Sequence, residues 1–253
     1  MLNTLRAEWT KLITTRSLWW TSGLFLVMTI GFAIIVGATS TVGDPLTGSL
    51  SVLSVTGIIN ILGFPVLMVQ AVMVVTTEYR YGLQTLTYMA SPRRWQVALV
   101  KLGLYAALSA LLVIIGVVGA FIVSSLAAPG PVAEAFDPWN DEMGRRILWV
   151  YPLGAALLTL FSQGLGLLLR QTAGAVTLGL ILYLGIDSFT TFFPAIGDKI
   201  VHFMPFSAFS KWLMNMPPQG AMWDSITGYF FVFLGWSLIL WLLGVLLLNK
   251  RDA

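Results

Sequence analysis

An all-α integral membrane fold is predicted for this chain of 253 residues by three observations. It is 57% hydrophobic and only 10% charged, where a soluble domain carries about a quarter charged residues. Its mean hydropathy is +0.86. Its charges are gathered between uncharged intervals, and a charge at the bilayer centre is costly, so each interval of roughly 20 apolar residues reads as a helix that crosses.

Six crossings follow in order. The first interval, Ser17 to Gly43, holds a span at about 18–38, and the second, Pro45 to Thr77, one at about 54–76. The third runs from Leu102 to about Leu126 and the fourth from Ile147 to Leu169. A fifth begins after Arg170, and the last runs from Ile226 to Leu248. The whole, 1–253, is one transmembrane domain: residues 1–16 ahead of the first span, spans one to three within 17–126, an outer loop at 127–146, and spans four to six within 147–253. An apolar outer stretch at 188–225, broken by Pro194, Pro205, Pro217 and Pro218, reads as short helices that dip into one leaflet without crossing. The two-residue connection Arg170-Gln171 makes the fourth and fifth helices a tight hairpin.

Basic residues set the orientation. Arg6, Lys11, Arg16, Arg80, Arg93, Arg94, Lys101, Arg170, Lys250 and Arg251 fall on one side, and Arg145, Arg146, Lys199 and Lys211 on the other. The excess predicts a multi-pass protein with both termini in the cytoplasm. The net charge of +3 is dispersed beside the spans and is no footprint for nucleic acid. Glu8 and the helical periodicity of the first sixteen residues speak against a cleavable leader. Within those residues Leu2, Leu5, Trp9, Leu12 and Ile13 share one helical face, with Glu8 and Lys11 on the other, the pattern of an amphipathic helix lying in the interface.

The segment between spans two and three holds most of the local chemistry. Span two is expected to continue past Glu78, Tyr79 and Arg80 to a glycine bend at Gly82. A short helical turn follows around Thr85, and then Ser91-Pro92, as N-cap and first helical residue, launches span three. The result is a helical elbow at 77–95 carrying Glu78, Arg80, Arg93 and Arg94. Inside the spans, Asn60 and Gln70 of the second, Gln163 of the fourth and Asp187 at the end of the fifth are translocation-pathway candidates, since polar groups in a bilayer are rare and often functional. Bonding between helices is the alternative for each. Ala33/Gly37, Gly116/Ala120 and Ser162/Gly166 have the small-residue spacing of helix contacts.

No G-x-x-x-x-G-K-[ST] segment is present, so no phosphate-cradling loop belongs to this chain. It has 0 Cys and 1 His, too few ligands for a zinc site, which takes three or four. No nucleophile–base pair is spaced for catalysis. A catalytic centre, a metal and a cofactor bound by this chain are therefore not expected.

Ala7-Glu8-Trp9-Thr10-Lys11-Leu12 and Thr15-Arg16-Ser17, with Thr77-Glu78-Tyr79-Arg80-Tyr81-Gly82, Ala90-Ser91-Pro92-Arg93-Arg94 and Lys101, resemble the membrane subunits of type-2 ABC exporters, above all the compact six-span actinobacterial permeases. The resemblance covers the layout end to end, but its specific motifs lie only in residues 7–17 and 77–101. In that family Thr commonly follows the E-Y-R-x-G segment; here Leu83 stands there. The resemblance implies a bacterial plasma-membrane permease without ATPase activity of its own. It would be paired with a second copy or a related permease, and with two copies of a cytoplasmic ATPase holding ATP and Mg. It implies that the interfacial helix (Glu8, Lys11) and the elbow act as couplers: Glu78 and Arg80 setting register, Gly82 bending, Arg93 and Arg94 meeting the ATPase or headgroups, and Tyr79, Thr85 and Pro92 belonging to the same coupling segment. The cargo would be hydrophobic or amphipathic: a drug, a peptide or a lipid. The rival is an ATPase-independent secondary transporter or channel subunit. A proton-driven carrier keeps ionisable residues deep in its spans, and only Asp187 comes near that depth.

Overall fold

The computed structural model describes residues 2–41, 50–83, 89, 94–185 and 200–250. The described residues form helices and no strand. In chain order these are α1 (Leu2–Thr14), α2 (Arg16–Thr39), α3 (Val52–Ile58), a π-helical turn (Ile59–Gly63), α4 (Phe64–Arg80), α5 (Arg94–Ala127), α6 (Gly130–Ala135), α7 (Glu142–Leu169), α8 (Thr172–Leu184), a 3₁₀ turn (Val201–Phe203), α9 (Pro205–Leu213) and α10 (Thr227–Lys250). Five are long and apolar enough to cross a membrane: α2, the continuous Val52–Arg80 unit, α5, α7 and α10. This is the architecture of a multi-pass membrane protein.

The expectation of six spans is met only in part. Where the fifth was placed stands α8, 13 residues long, or about 20 Å at 1.5 Å per residue, short of the ~30 Å hydrocarbon core. The residues that follow it, Asp187 among them, lie outside the described ones, as do Thr85, Ser91, Pro92 and Arg93 of the elbow.

The core is organised around α7. It is buried over 78% of its most apolar window, against 22% for α2, and α4, α5, α8 and α10 all pack on it. Small residues let the helices close in. A Cβ on Gly164 would sit 2.7 Å from the Trp241 backbone nitrogen of α10, and one on Gly37 would sit 2.5 Å from the Ser124 carbonyl oxygen of α5. The second of these confirms Gly37 as a contact position. Aromatic rings fill the half of the bundle away from the chain termini, where Phe64 meets Phe209 edge-on and Phe161 stacks on Phe233.

The π turn has a local cause. Phe64 N–H bonds to the Ile59 carbonyl, five residues back. The Asn60 carbonyl would need the next N–H in that pattern, and residue 65 is proline, which has none. The orphan is satisfied from another helix, for Tyr183 Oη donates to the Asn60 carbonyl at 2.5 Å. Asn60 Nδ2 in turn donates to Tyr151 Oη at 2.7 Å. One proline thus fixes a polar junction of the second span, α7 and α8.

Helix ends behave as their sequences ask. α4 stops in a Schellman cap: Gly82 takes φ +66°, Leu83 N–H reaches the Glu78 carbonyl at 2.9 Å, and Gly82 N–H reaches that of Tyr79 at 3.4 Å. The tight hairpin is present too, with Arg170 left-handed at φ 53° between α7 and α8. α7 begins on Asp141, whose carboxylate accepts from Gly144 N–H.

Candidate functional site

Two acids and two lysines from three elements converge at the membrane face that carries the N-terminus. α1 supplies Glu8 and Lys11, the last turn of α4 supplies Glu78, and α5 supplies Lys101 from its second turn. Lys101 Nζ donates to Glu8 Oε2 at 2.5 Å and to Glu78 Oε1 at 2.9 Å. Lys11 Nζ donates to Glu78 Oε1 at 2.8 Å and to Glu8 Oε1 at 2.9 Å. The four formal charges sum to zero, and each carboxylate touches both ammonium groups.

Glu8, Glu78 and Lys101 are buried, while Lys11 lies at the rim with its side chain 47% exposed. Burial alone would lower the Lys11 pKa. Hydrogen bonds from its ammonium to Glu78 and Glu8, with the charges of both, outweigh that and hold it above the ordinary lysine value. Uncompensated burial of an ion costs several kcal/mol, so the cluster persists only because its members are present together. A cavity of ≈ 10 Å³ beside Glu78, Lys101 and Gln163 is about one water in size, too small for a transported solute. The cluster is a clasp between helices rather than a binding pocket.

The clasp explains how α1 sits. Glu8 and Leu12, four residues apart, are buried against the protein, whereas Leu5, Trp9 and Ile13 are exposed. Leu12 therefore leaves the apolar stripe expected for it, and Glu8 turns inward instead of toward water. The stripe that remains faces outward as an interfacial helix requires. Leu12 packs with Leu18, Ala71 and Tyr105, below the charges.

The other sequence candidates divide by location. Arg80 is exposed, its guanidinium over the Tyr81 ring at 5.7 Å. Tyr79 lies under Arg170 at 5.2 Å, which joins the elbow to the α7–α8 hairpin, where Thr172 Oγ1 also donates to Thr76 Oγ1. Arg94 donates to the Leu248 carbonyl at 3.0 Å, tying the start of α5 to the end of α10. Gln70 is buried and spans three helices: its Nε2 donates to the Leu18 carbonyl and Ser22 Oγ of α2, and its Oε1 accepts from Tyr105 Oη of α5. Gln163 is buried with Nε2 toward the Lys101 carbonyl at 3.4 Å. Within a single chain, Gln70, Gln163 and Asn60 all serve as helix-to-helix bonds.

Lys101 enters the sequence reading only as an orienting basic residue and a motif position, not as a site residue. Its signal was nonetheless present. It is the last charge before the third apolar interval, on the side of the membrane where Glu8 and Glu78 are expected. Comparison of the chain with known protein-family models and with curated proteins finds no match.

Proposed function

We propose that this chain is the permease subunit of an ATP-driven exporter in a bacterial plasma membrane, worked by a separate cytoplasmic ATPase that binds ATP and Mg. The observation that carries the reading is the four-charge clasp. A subunit moved from outside needs a stiff element at the membrane surface. Here the interfacial helix, the end of the second span and the start of the third are bound into one body at a single face. Exposed Arg80 and Tyr81 and the capped bend at Gly82 stand at the rim of that body, placed to meet a partner.

Six crossings fit this reading. At Thr172 the chain lies beside Thr76, near the clasp face. At His202 it bonds Tyr229, at the opposite end of α10, and a sixth crossing between these two points is part of the proposal. Both termini and the clasp then lie in the cytoplasm. The pathway for a hydrophobic or amphipathic cargo forms against a second permease copy or a related chain. An ATPase-independent carrier or channel is the rival, and the observation against it is that the buried ionisable cluster is closed on itself at one face.

The test is isolation of the tagged chain from its native membranes. A stoichiometric partner bearing a G-x-x-x-x-G-K-[ST] loop is expected, together with ATP-dependent solute movement by the reconstituted pair. Solute movement by the chain alone, or a preparation without any such partner, contradicts the proposal.

A further inference from the structure

The face opposite the clasp carries a cavity of ≈ 620 Å³ between the start of α7, the loop after α9 and the start of α10. It is open, and its α7 wall has an order along the helix. Arg146, Trp149 and Leu153 recur at helical spacing down one face of α7, so a cation at headgroup level gives way to an indole and then to an aliphatic side chain. Phe230 of α10 lines the cavity as well, and Asp224, exposed in the loop before α10, supplies a carboxylate.

The charges of this wall are not consumed by the protein. Arg146 donates one hydrogen bond, Nη2 to the Trp212 carbonyl at 2.8 Å, and its guanidinium lies 5.7 Å from the Trp149 ring. Its buried Nε has no partner. Neither Arg146 nor Asp224 takes part in an ion pair among the described residues. A guanidinium held by one carbonyl and one ring keeps donors for an anion and matches phosphate geometry. A carboxylate on the same wall would repel a purely anionic ligand but attract an ammonium. Trp149 and Leu153, both exposed on the outward side of α7, continue the wall to hydrocarbon depth.

We infer that this cavity is a binding site for a zwitterionic phospholipid, with the phosphate on Arg146, the headgroup ammonium toward Asp224, and an acyl chain along Trp149, Leu153 and Phe230. The opposite signs of Arg146 and Asp224, with an apolar track leading down from them, select a bilayer lipid over a soluble phosphate, which has no use for the track. They also select it over an anionic lipid, which has no group for Asp224. The inference depends only on membrane embedding and stands or falls apart from the transport reading.

The experiment places the purified protein in vesicles of equal phosphatidylethanolamine and phosphatidylglycerol, with one or the other brominated, and reads quenching of tryptophan fluorescence. Brominated phosphatidylethanolamine is expected to quench about twofold more than brominated phosphatidylglycerol. The excess should vanish in Trp149→Phe, which removes the reporter, and in Arg146→Gln, which removes the phosphate ligand. Arg146→Lys keeps the charge without the fork and should retain a part of it. Asp224→Asn, a change at an exposed residue that leaves the fold intact, should bring the two lipids level by admitting the anionic one. Equal quenching by both lipids in the unaltered protein overturns the inference. So does an excess that survives Arg146→Gln, Trp149→Phe or Asp224→Asn, or one abolished equally by addition of soluble inorganic phosphate.

Discussion

Glu8 and Lys101 are 93 positions apart in the chain, and their charged atoms meet at 2.5 Å. That contact closes the interfacial helix onto the third span, and Glu78 extends it to the second.

Lys101→Met leaves Glu8 and Glu78 facing each other with only Lys11 between them. Removing one partner of a buried ion pair costs about 3–5 kcal/mol, and a loss of that order is expected in denaturant titration of the purified chain. Pairing Lys101→Met with Glu8→Gln leaves Lys11 and Glu78 as a balanced pair and should recover most of it. Additive losses in the double variant would show that the two groups do not interact.

Because the Lys11 pKa is raised by its partners, the stability it contributes is fully present below the ordinary lysine pKa. It is lost as pH rises through the higher value of the folded state. Thermal stability should therefore hold through neutral pH and fall in the alkaline range, with a shallower alkaline fall in Lys11→Met. A fall of equal steepness in that variant would contradict the assignment.

Three glycine substitutions should separate by mechanism. Gly37→Ala forces a Cβ to 2.5 Å from the Ser124 carbonyl oxygen and should cost about 1–3 kcal/mol by driving α2 from α5. Gly82→Ala meets no atom, but its φ of +66° costs an L-residue about 1–2 kcal/mol. Gly103→Ala, in α5 with open space around it, should be neutral or stabilising by up to about 1 kcal/mol. Unfolding measurements on the three variants check the order.

Tyr183→Phe takes the donor from an Asn60 carbonyl that Pro65 has already left without a backbone partner. A buried acceptor without its bond costs about 1–3 kcal/mol. Hydrogen exchange should quicken in the π turn and α8 while α2 is unaffected; unchanged protection at the turn would dismiss the junction.

Five of the spans were legible because charges are too costly in hydrocarbon to be scattered, and the bend at Gly82 and the hairpin at Arg170 because turn chemistry is local. The clasp was legible only in its parts. Glu8, Lys11 and Glu78 stood out as acids and bases on one side of the membrane. Their meeting with Lys101 depends on packing across sequence separations that no period records. The turn of Leu12 and Glu8 toward the protein was hidden for a related reason: on a short helix the apolar stripe fits either the lipid or the core, and the clasp decides which. The π turn follows from Pro65, yet its stability needs a hydroxyl 123 positions away.

The central claim, that α1, the end of α4 and the start of α5 work as one lever for a partner ATPase, is tested most directly by replacing the clasp with a covalent link. The chain has 0 Cys, so Glu8→Cys with Lys101→Cys can be bridged at those two positions by a short bis-maleimide. The readout is ATP-driven transport by the reconstituted assembly. The double variant should lose coupling between hydrolysis and transport, and the bridge should restore it. Full coupling without the bridge, or none after complete bridging, would contradict the account.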